Sequence, residues 1–245
     1  MRRLNDPLRL GVVCALADEA RVFGLKRPSL DREIILRPNL RLWVSGMGAA
    51  RAGAAAESLL KAGCDALLSF GYCGALSPGL VPGSLVLPSL LVDAESGEEF
   101  EADSGMHAAL RQRLTALPHV SSAHVLVGSA RVLGVEDKRA WDRRWPGAVV
   151  DMESCAIARA AREHGVPWGV LRAVLDRRDD EIPSSLTRLL DPWGRWDAPL
   201  WQRLTAVMGV SPRRLWMLAH SQKKAFDALA RSARCLSDSG PFLPF

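Results

Sequence analysis

Short apolar runs, rich in β-branched residues, recur along the chain and are bounded by polar, Gly or Pro residues. Runs of this length and composition are typical of buried or half-buried strands. The predicted strands are Leu10–Ala15, Arg41–Ser45, Ala66–Phe70, Ser84–Val92, His124–Gly128, Ala148–Val150 and Trp168–Ala173. The pattern therefore predicts a protein with a substantial central sheet.

Between these runs the apolar residues recur at helical spacing. The predicted helices are Ala49–Ala62, Ser104–Ala116, Glu136–Arg144 and Met152–His164. Continuous apolar strands that alternate with helices are typical of a mostly parallel sheet covered on both faces. We therefore predict an α/β protein, a three-layer α/β/α sandwich with a mixed, mostly parallel central sheet. No repeat or low-complexity linker interrupts the chain, so we predict a single domain over residues 1–245.

The tail, residues 180–235, differs from the rest of the chain. Residues 180–199 are rich in Pro, Asp and Trp and predict an ordered loop. Residues 212–234 predict a helix with an apolar face flanked by basic residues. We favour packing of this helix on the sheet, because an apolar stripe usually faces a core. Docking on an anionic membrane surface is the alternative.

Composition narrows the class of protein. Hydrophobic residues make up 48% and charged residues 24%, which is typical of a soluble globular protein. The basic N-terminus precedes a short apolar run that leads directly into Asp18 and Glu19, which favours a first strand over a signal peptide. We therefore expect a cytoplasmic protein. The formal net charge of +5 suits attraction of phosphate or a lipid headgroup but does not indicate nucleic-acid binding.

Cysteine and histidine give no sign of a metal site. The five cysteines are scattered without a CxxC pair, and the five histidines show no ligand spacing. We therefore expect reduced core thiols and predict no bound metal.

Four polar or Gly-rich segments lie at or just beyond predicted strand ends. They are ALADEA (15–20), SGMGAARA (45–52), FGYCGAL (70–76) and the pair VVDMES (149–154) and VLRAVLD (170–176). Ligands of open α/β sheets bind beyond the carboxyl ends of strands, where helix N-termini present free N–H groups. These segments therefore predict one composite site. SGMGAARA lacks the third glycine of a dinucleotide fingerprint, because Arg51 takes that place.

Together the motifs resemble one family. SGMG, GYCGAL followed by PGSLVLP, VDMES and RAVLD occur in the order found in nucleoside phosphorylases and nucleosidases of the purine nucleoside phosphorylase type. The adenosine-directed branch includes the methylthioadenosine/S-adenosylhomocysteine nucleosidases. The tail, with LLDPWGRW before a basic helix, is most similar to the hopanoid-associated phosphorylases. Those enzymes remove adenine from adenosylhopane during bacterial hopanoid side-chain synthesis.

The resemblance assigns roles to the acidic residues. Glu153 would bind the ribose 2′- and 3′-hydroxyls through its two acceptor oxygens, with Met152 against the sugar. Asp176 would protonate purine N7, which requires burial or a nearby negative charge to raise its pKa. Arg172 shares a strand face with Asp176 if the alternation is regular, and would oppose that protonation. Asp151 is expected to be mainly structural.

The nucleophile is left open between water and phosphate. In the nucleosidase branch a glutamate activates water, and Glu19 holds the matching position; a helix-start acid is an equal alternative. In the phosphorylase branch an arginine binds phosphate at the position of Ser69 here, and this departure argues against phosphate binding by that route. The remaining candidate phosphate ligands are Gly46, Gly48, Arg51 and Arg131. For the two arginines, a surface salt bridge is an equal alternative.

The turn after the third predicted strand should line the base and sugar pocket. Its candidate substrate-binding residues are Gly71, Tyr72, Cys73 and Gly74. Tyr72, the only tyrosine, replaces a small Ser or Thr of the relatives. It would narrow the pocket or stack on the base, and core packing is the alternative.

These expectations combine into an enzyme that cleaves the N-glycosidic bond of an adenosine-type nucleoside. The favoured reaction is phosphorolysis of adenosylhopane, a pentosyl transfer that yields adenine and a ribosyl-1-phosphate hopane, with phosphate as co-substrate and no cofactor. Hydrolysis of methylthioadenosine- or S-adenosylhomocysteine-like nucleosides is the alternative, and a non-catalytic nucleoside-binding protein is the second alternative.

The expected partner is a small-molecule nucleoside, lipid-linked in the favoured reaction, and the resemblance also implies a homo-oligomer. A lipid substrate predicts peripheral contact with the inner membrane and an apolar entrance formed by Trp193, Trp196, Trp201 and Trp216. No nucleic-acid partner is expected.

Overall fold

One continuous mixed sheet forms the centre of the computed structural model, which describes residues 8–121, 124–181, 183, 189–195, 197, 207 and 209–238. The strands are β1 (Leu10–Cys14), β2 (Glu33–Arg37), β3 (Leu40–Val44), β4 (Ala66–Ala75), β5 (Leu85–Val86), β6 (Leu90–Asp93), β7 (Glu99–Glu101), β8 (Val120–Ser121), β9 (Leu126–Gly128), β10 (Val149–Asp151) and β11 (Trp168–Asp176). The helices are α1 (Ala17–Arg21), α2 (Ala49–Lys61), α3 (Ser104–Leu114), α4 (Val135–Arg144), α5 (Ser154–Glu163) and α6 (Pro212–Asp238).

Strand β4 organises the sheet. Its first half pairs with β1 in parallel, and its last two residues pair with β10 in antiparallel register. On its other edge β11 runs parallel to it over almost its whole length. The order β2-β3-β1-β4-β10-β9-β6-β7 continues from there, while β11 leads to β5 and β8. The carboxyl ends of β4, β10 and β11 therefore converge, and the predicted mixed, mostly parallel sheet is confirmed.

Helices cover both faces of the sheet. Along β1 successive side chains alternate between faces, so Val12 packs into one core cluster and Val13 into the other. Helices α2 and α5 complete the cluster on the Val13 side, whereas α3 and α6 complete the cluster on the Val12 side. The predicted three-layer arrangement is thus confirmed.

The tail helix α6 packs on the sheet through its second half. Its buried apolar side chains are Ala225, Ala228, Leu229, Ala233 and Leu236, which lie in the Val12-side core beside β11. The first turns are largely exposed, and Trp216 keeps 65% of its surface accessible there. The predicted packing of this helix on the sheet is confirmed for its second half. Within the described part of the chain, no helix is long and apolar enough to cross a membrane.

The single strand predicted over Ser84–Val92 is wrong. The segment forms two strands, Leu85–Val86 and Leu90–Asp93, which pair with different partners, β11 and β9. Pro88 lies between them, and proline cannot donate to a strand ladder. The sequence pattern also missed the short strand Glu99–Glu101, which pairs with β6, and the hairpin strand Glu33–Arg37.

Candidate active site

A cavity of about 160 Å³ opens where the four polar segments meet. Its lining residues are Ala15, Leu16, Glu19, Met47, Tyr72, Cys73, Gly74, Arg131, Val132, Leu133, Lys138, Val150, Asp151, Met152, Glu153, Leu175 and Asp176. Three carboxyl groups predicted to act on one nucleoside, those of Glu19, Glu153 and Asp176, therefore face one space. Their side chains come from the segment after β1, the β10–α5 junction and the end of β11.

Glu153 stands at the junction between β10 and α5. Its Oε1 accepts a hydrogen bond of 2.8 Å from the backbone N–H of Gly48, which ties the loop after β3 to the start of α5. Burial, reinforced by the nearby Asp151 carboxylate, raises the pKa of Glu153 to about 7. The carboxylate keeps acceptor capacity for a further ligand, because each of its oxygens offers two lone pairs. Met152, the preceding residue, lines the same cavity.

Arg172 is buried next to the cavity and forms an ion pair with Asp151. The two side chains are both almost fully buried, with Nη2 of Arg172 2.5 Å from Oδ2 of Asp151. Nη2 also donates to the hydroxyls of Ser69, at 2.8 Å, and Ser154, at 3.0 Å. Asp151 in turn accepts N–H bonds from Glu153 and Ser154 at the start of α5. Ser69, at the place where phosphorylases carry an arginine, is thus a hydrogen-bond acceptor in this buried cluster.

Asp176 is paired with Lys138 of α4 and not with Arg172. The pairing of β11 with β4 shifts between Val174 and Asp176, so that Asp176 lies opposite Gly74. A bulge of this kind places an extra residue in one strand and re-aims the side chains beyond it. The alternation that would have placed Arg172 and Asp176 together is broken at this point, which settles the question left open by the sequence.

Lys138 contacts the Asp176 carboxylate through its ammonium group. Its Nζ donates to Oδ2 of Asp176, to the carbonyl oxygen of Arg177 at 3.0 Å and to that of Asp180 at 3.3 Å. Burial raises the pKa of Asp176, and the Lys138 ammonium opposes that rise. The acid therefore lies in an apolar environment with one cationic partner.

Glu19 is anchored by backbone N–H groups. Its Oε2 accepts from the N–H groups of Ala15 and Leu16, both at 2.8 Å, and its Oε1 accepts from that of Tyr72 at 2.7 Å. Burial nevertheless raises the pKa of Glu19, because desolvation of the carboxylate exceeds the help from these donors and Arg172. Glu19 thus has the helix-start role, because its Oε2 accepts hydrogen bonds from N–H groups at the start of α1. Glu19 also lines the cavity.

Gly71 and Tyr72 shape the wall behind Glu19. A Cβ at Gly71 would lie 2.3 Å from Oε1 of Glu19 and 2.6 Å from Nη1 of Arg172, so only glycine lets both groups approach β4. Tyr72 packs its ring into the core, and its hydroxyl donates to Asp18 at 3.0 Å. Burial raises the pKa of the Tyr72 phenol well above its usual range. Cys73 and Gly74 line the cavity directly.

The candidate phosphate ligands are dispersed. The N–H of Gly48 is engaged by Glu153, and Arg51 is exposed with its guanidinium 5.3 Å from the centre of the Trp193 ring. Gly46 lies beside this Arg51 and Trp193 pair. Among the described residues, the cavity lining includes neither Gly46, Gly48 nor Arg51. The structure therefore does not join these three into a phosphate site at the cavity.

Arg131 differs from the other phosphate candidates because it lines the cavity. Its Nη1 donates to Oδ2 of Asp137 at 2.7 Å, and its side chain is 64% exposed. The surface salt bridge and the position at the cavity mouth are both present, so this candidate remains a prediction.

The tail contributes a wall next to the cavity. The carbonyl oxygen of Pro192 accepts from the N–H of Met47 at 2.8 Å, and that of Trp193 accepts from Ala17 at 3.1 Å. Trp193 is half-buried, and its indole N–H donates to Val44. Trp216 is exposed and stacks on His220, while Trp196 and Trp201 lie outside the described residues. The tryptophan entrance therefore stays a prediction.

Lys138 is the residue that sequence reasoning missed. It is the buried residue of α4, whose composition is otherwise strongly polar. The sequence contained a signal for the burial of Lys138, because this residue shares helical spacing with Trp141 and Trp145, which pack on a core cluster. A lysine on the apolar face of a short helix indicates a buried charge with a partner.

Two solved structures with the same fold are a nucleosidase and a hydrolase. The methylthioadenosine/S-adenosylhomocysteine nucleosidase of Neisseria meningitidis, in complex with methylthio-immucillin-A, is 18% identical with a TM-score of 0.69, over 94% of this chain and 99% of that one. Futalosine hydrolase of Helicobacter pylori is 18% identical with a TM-score of 0.67, over 94% and 97% of the two chains. These similarities identify the fold.

The sequence itself identifies the family. The family model described as Phosphorylase superfamily matches residues 37–193, more than half of the chain. That range includes the loop after β3, the end of β4, the β10–α5 junction and the end of β11, which together build most of the cavity. On this match, the chain belongs to the phosphorylase superfamily.

Proposed function

We propose that this protein hydrolyses the N-glycosidic bond of an adenosine-type nucleoside that carries an apolar 5′ substituent. The observation that carries the proposal is the convergence of Glu19, Glu153 and Asp176 on one cavity. Burial raises the pKa of all three carboxyl groups, and shifted acids that converge on one cavity are typical of a catalytic site. Hydrolysis is favoured over phosphorolysis for this cavity.

In the proposed reaction Asp176 serves as the general acid. A proton moves to purine N7 as the C1′–N9 bond breaks, and the electron pair of that bond leaves with the base. The ribose passes through an oxocarbenium-like transition state, as in glycoside hydrolysis. Glu153 holds the 2′- and 3′-hydroxyls so that C1′ is presented to the nucleophile. Protonation neutralises the departing adenine, which is otherwise a poor leaving group.

Glu19 would activate the water that attacks C1′. The water oxygen forms the new bond to C1′, and one of its protons passes to the Glu19 carboxylate. The products are adenine and the free ribose derivative, and no further reactant is consumed. The raised pKa of Glu19 suits a general base, because a more basic carboxylate accepts a proton more readily.

The charges around the cavity favour water over phosphate. Phosphate would have to approach the Glu19 carboxylate, and Arg172 is already neutralised by Asp151. The two neighbours named as nucleosidase and hydrolase share this fold, which is consistent with hydrolysis.

The apolar 5′ substituent is inferred from the lining near the sugar end. The backbone N–H of Leu16 donates to Glu19, and Met47 precedes Gly48, whose N–H donates to Glu153. A ribose bound by Glu153 would therefore have Leu16 and Met47 within reach of its 5′ carbon. An alkylthio or hydrocarbon group would bury apolar surface there.

Phosphorolysis of adenosylhopane is the second candidate. Arg131 favours it, because a guanidinium at the cavity mouth is suited to bind phosphate if it leaves Asp137. The exposed Val132 beside it would suit a hydrocarbon entering from a membrane surface.

Product analysis tests both candidates. Adenosine, 5′-methylthioadenosine and adenosylhopane are each incubated with the protein in phosphate-free buffer and in buffer with phosphate, and the sugar product is identified by mass spectrometry. Hydrolysis predicts free sugar at the same rate in both buffers, with ¹⁸O from labelled water at C1′. A sugar 1-phosphate formed only with phosphate would establish phosphorolysis and overturn the first proposal.

Asp176→Asn distinguishes an enzyme from a binding protein. The variant should bind the nucleoside but release base at least about 100-fold more slowly than the parent, the usual contribution of general-acid help. If both forms bind adenosine-type nucleosides and neither releases base from any substrate, the protein is a nucleoside-binding protein.

A further inference from the structure

The ammonium group of Lys138 lies in a complete cage of three acceptors. Its Nζ contacts Oδ2 of Asp176 and the carbonyl oxygens of Arg177 and Asp180. The side chains of Lys138 and Asp176 are 3% and 9% exposed, so water contributes little to either group. One buried amine is thus dedicated to one buried acid of the cavity.

We propose that Lys138 and Asp176 act as a proton-sharing pair that supplies the proton taken by the departing base. The inference deepens the proposed function and depends on it for the identity of the acceptor. It gives Lys138 a role as a positioning and proton-holding residue, beyond that of a structural counter-charge.

The cage satisfies both positions of the proton. As an ammonium, Lys138 donates three N–H bonds, one to the Asp176 carboxylate and two to the carbonyl oxygens. As a neutral amine, it still donates two bonds to the carbonyl oxygens, and its lone pair accepts the O–H of a protonated Asp176. No hydrogen bond is lost when the proton moves between Nζ and Oδ2. A buried ion pair without this property would resist transfer, because a buried polar group left unpaired is costly.

The titratable groups near the pair come from β4, β11 and the loop after β11. Asp180 adds a negative charge on the loop after β11, the Cys73 thiol lies nearby on β4, and Arg172 is neutralised by Asp151. Burial disfavours the charged form of Asp176 and raises its pKa, which suits this carboxylate to accept a proton from Nζ.

The proton transfer step balances. An Nζ–H bond of Lys138 breaks, and the Asp176 carboxylate takes the proton; the carboxyl O–H then breaks as the N7–H bond of the purine forms. Lys138 is left as a neutral amine and Asp176 as a carboxylate. After adenine leaves, Glu19 releases to solvent the proton that it took from the attacking water, and Lys138 takes up one proton from solvent, which restores the pair.

Two substitutions at Lys138 test the inference. Lys138→Arg keeps a positive charge beside Asp176, but a guanidinium does not give up its proton at accessible pH. We expect kcat to fall at least about 100-fold with little change in KM. Lys138→Met leaves Asp176 as the only source of the proton, so the alkaline limb of the kcat profile should move to lower pH. Arg139→Met is the matched control, because it removes an exposed ion pair from α4 to Asp179 of the same loop.

A measurement without turnover keeps the test independent of the proposed function. The carboxyl ¹³C resonance of Asp176 should titrate at higher pH in Lys138→Met than in the parent, while Arg139→Met leaves it unmoved. Near-parental kcat in Lys138→Arg, or an unshifted Asp176 titration in Lys138→Met, would overturn the pair. If the parent releases no base from any nucleoside, the proposed function fails, whereas an unshifted Asp176 titration in Lys138→Met overturns the pair whether or not the parent turns over a nucleoside.

Discussion

Arg172 and Asp151 form a buried ion pair beneath the cavity, with 2.5 Å between Nη2 and Oδ2. The strand alternation in the sequence predicted that the Arg172 guanidinium would lie near Asp176. The ion pair places it at Asp151 instead. It also anchors the junction between β10 and α5, because Asp151 accepts N–H bonds from the first residues of that turn. The position of Glu153, two residues along the chain, therefore depends on Arg172.

Arg172→Met should be strongly destabilising. Removal of the guanidinium leaves Asp151 buried without a counter-charge, a loss of about 3–5 kcal/mol in comparable buried pairs. Urea denaturation at neutral pH measures the free energy of unfolding. Lys223→Met is the control, because the Lys223–Asp227 pair on α6 is exposed and should contribute about 1 kcal/mol or less. Equal losses in the two variants would show that the buried pair contributes no special stability.

Glu153→Gln should stabilise the protein above neutral pH and weaken ribose binding. The pKa of Glu153 is raised from 4.5 to about 7, which corresponds to about 3 kcal/mol. Because the folded state favours the protonated acid, this stability is fully present below pH 4.5 and is lost as pH rises through about 7. The neutral amide avoids that loss and can still accept the N–H of Gly48 through its carbonyl oxygen.

The difference in unfolding free energy between Glu153→Gln and the parent should therefore grow from pH 5 to pH 8. The exposed Glu163→Gln on α5 serves as the control and should show no such trend. A difference that is the same at both pH values would contradict the raised pKa. In kinetics, the loss of one acceptor oxygen should weaken ribose binding and raise KM.

Glu19→Gln should lose both activity and some stability. The carboxylate accepts three backbone N–H bonds, and an amide must turn its NH₂ group toward at least one of those donors. An unsatisfied buried donor costs about 1–3 kcal/mol. We expect base release to fall at least about 100-fold at a temperature where circular dichroism shows the variant folded. Asp18→Asn, on the half-exposed neighbour, should keep near-parental rates.

Gly71→Ala should damage the cavity more than any other small substitution in the β4 turn. The new methyl group would overlap Oε1 of Glu19 and Nη1 of Arg172, which cannot both retreat from a packed core. Overpacking of this kind costs about 1–3 kcal/mol or more. The exposed Gly79→Ala is the control, since nothing lies within 4 Å of its added methyl group. A thermal scan with and without a nucleoside analogue should show lower stability and lost binding for Gly71→Ala alone.

The local pattern predicted the strands and helices well because it depends on near neighbours in sequence. Periodicity located α2 and α5 within two residues of their observed ends. It missed the break at Pro88, where the apolar run divides into two strands. Each of these strands pairs with a different partner, and the local sequence does not indicate the pairing partners. The sequence pattern missed the short strands β2 and β7 for the same reason.

The sequence by itself determined which chemical groups are available to the site and at which strand ends they lie. VDMES, RAVLD and ALADEA are each readable from a few adjacent residues, and the parallel sheet brings strand ends together. Tertiary structure alone decided the partners of the charges. A one-residue bulge in β11 turned Asp176 away from Arg172, and α4, which is distant in sequence, brought Lys138 to it. Charge pairing across a core depends on register and packing, and neither leaves a local trace in the sequence.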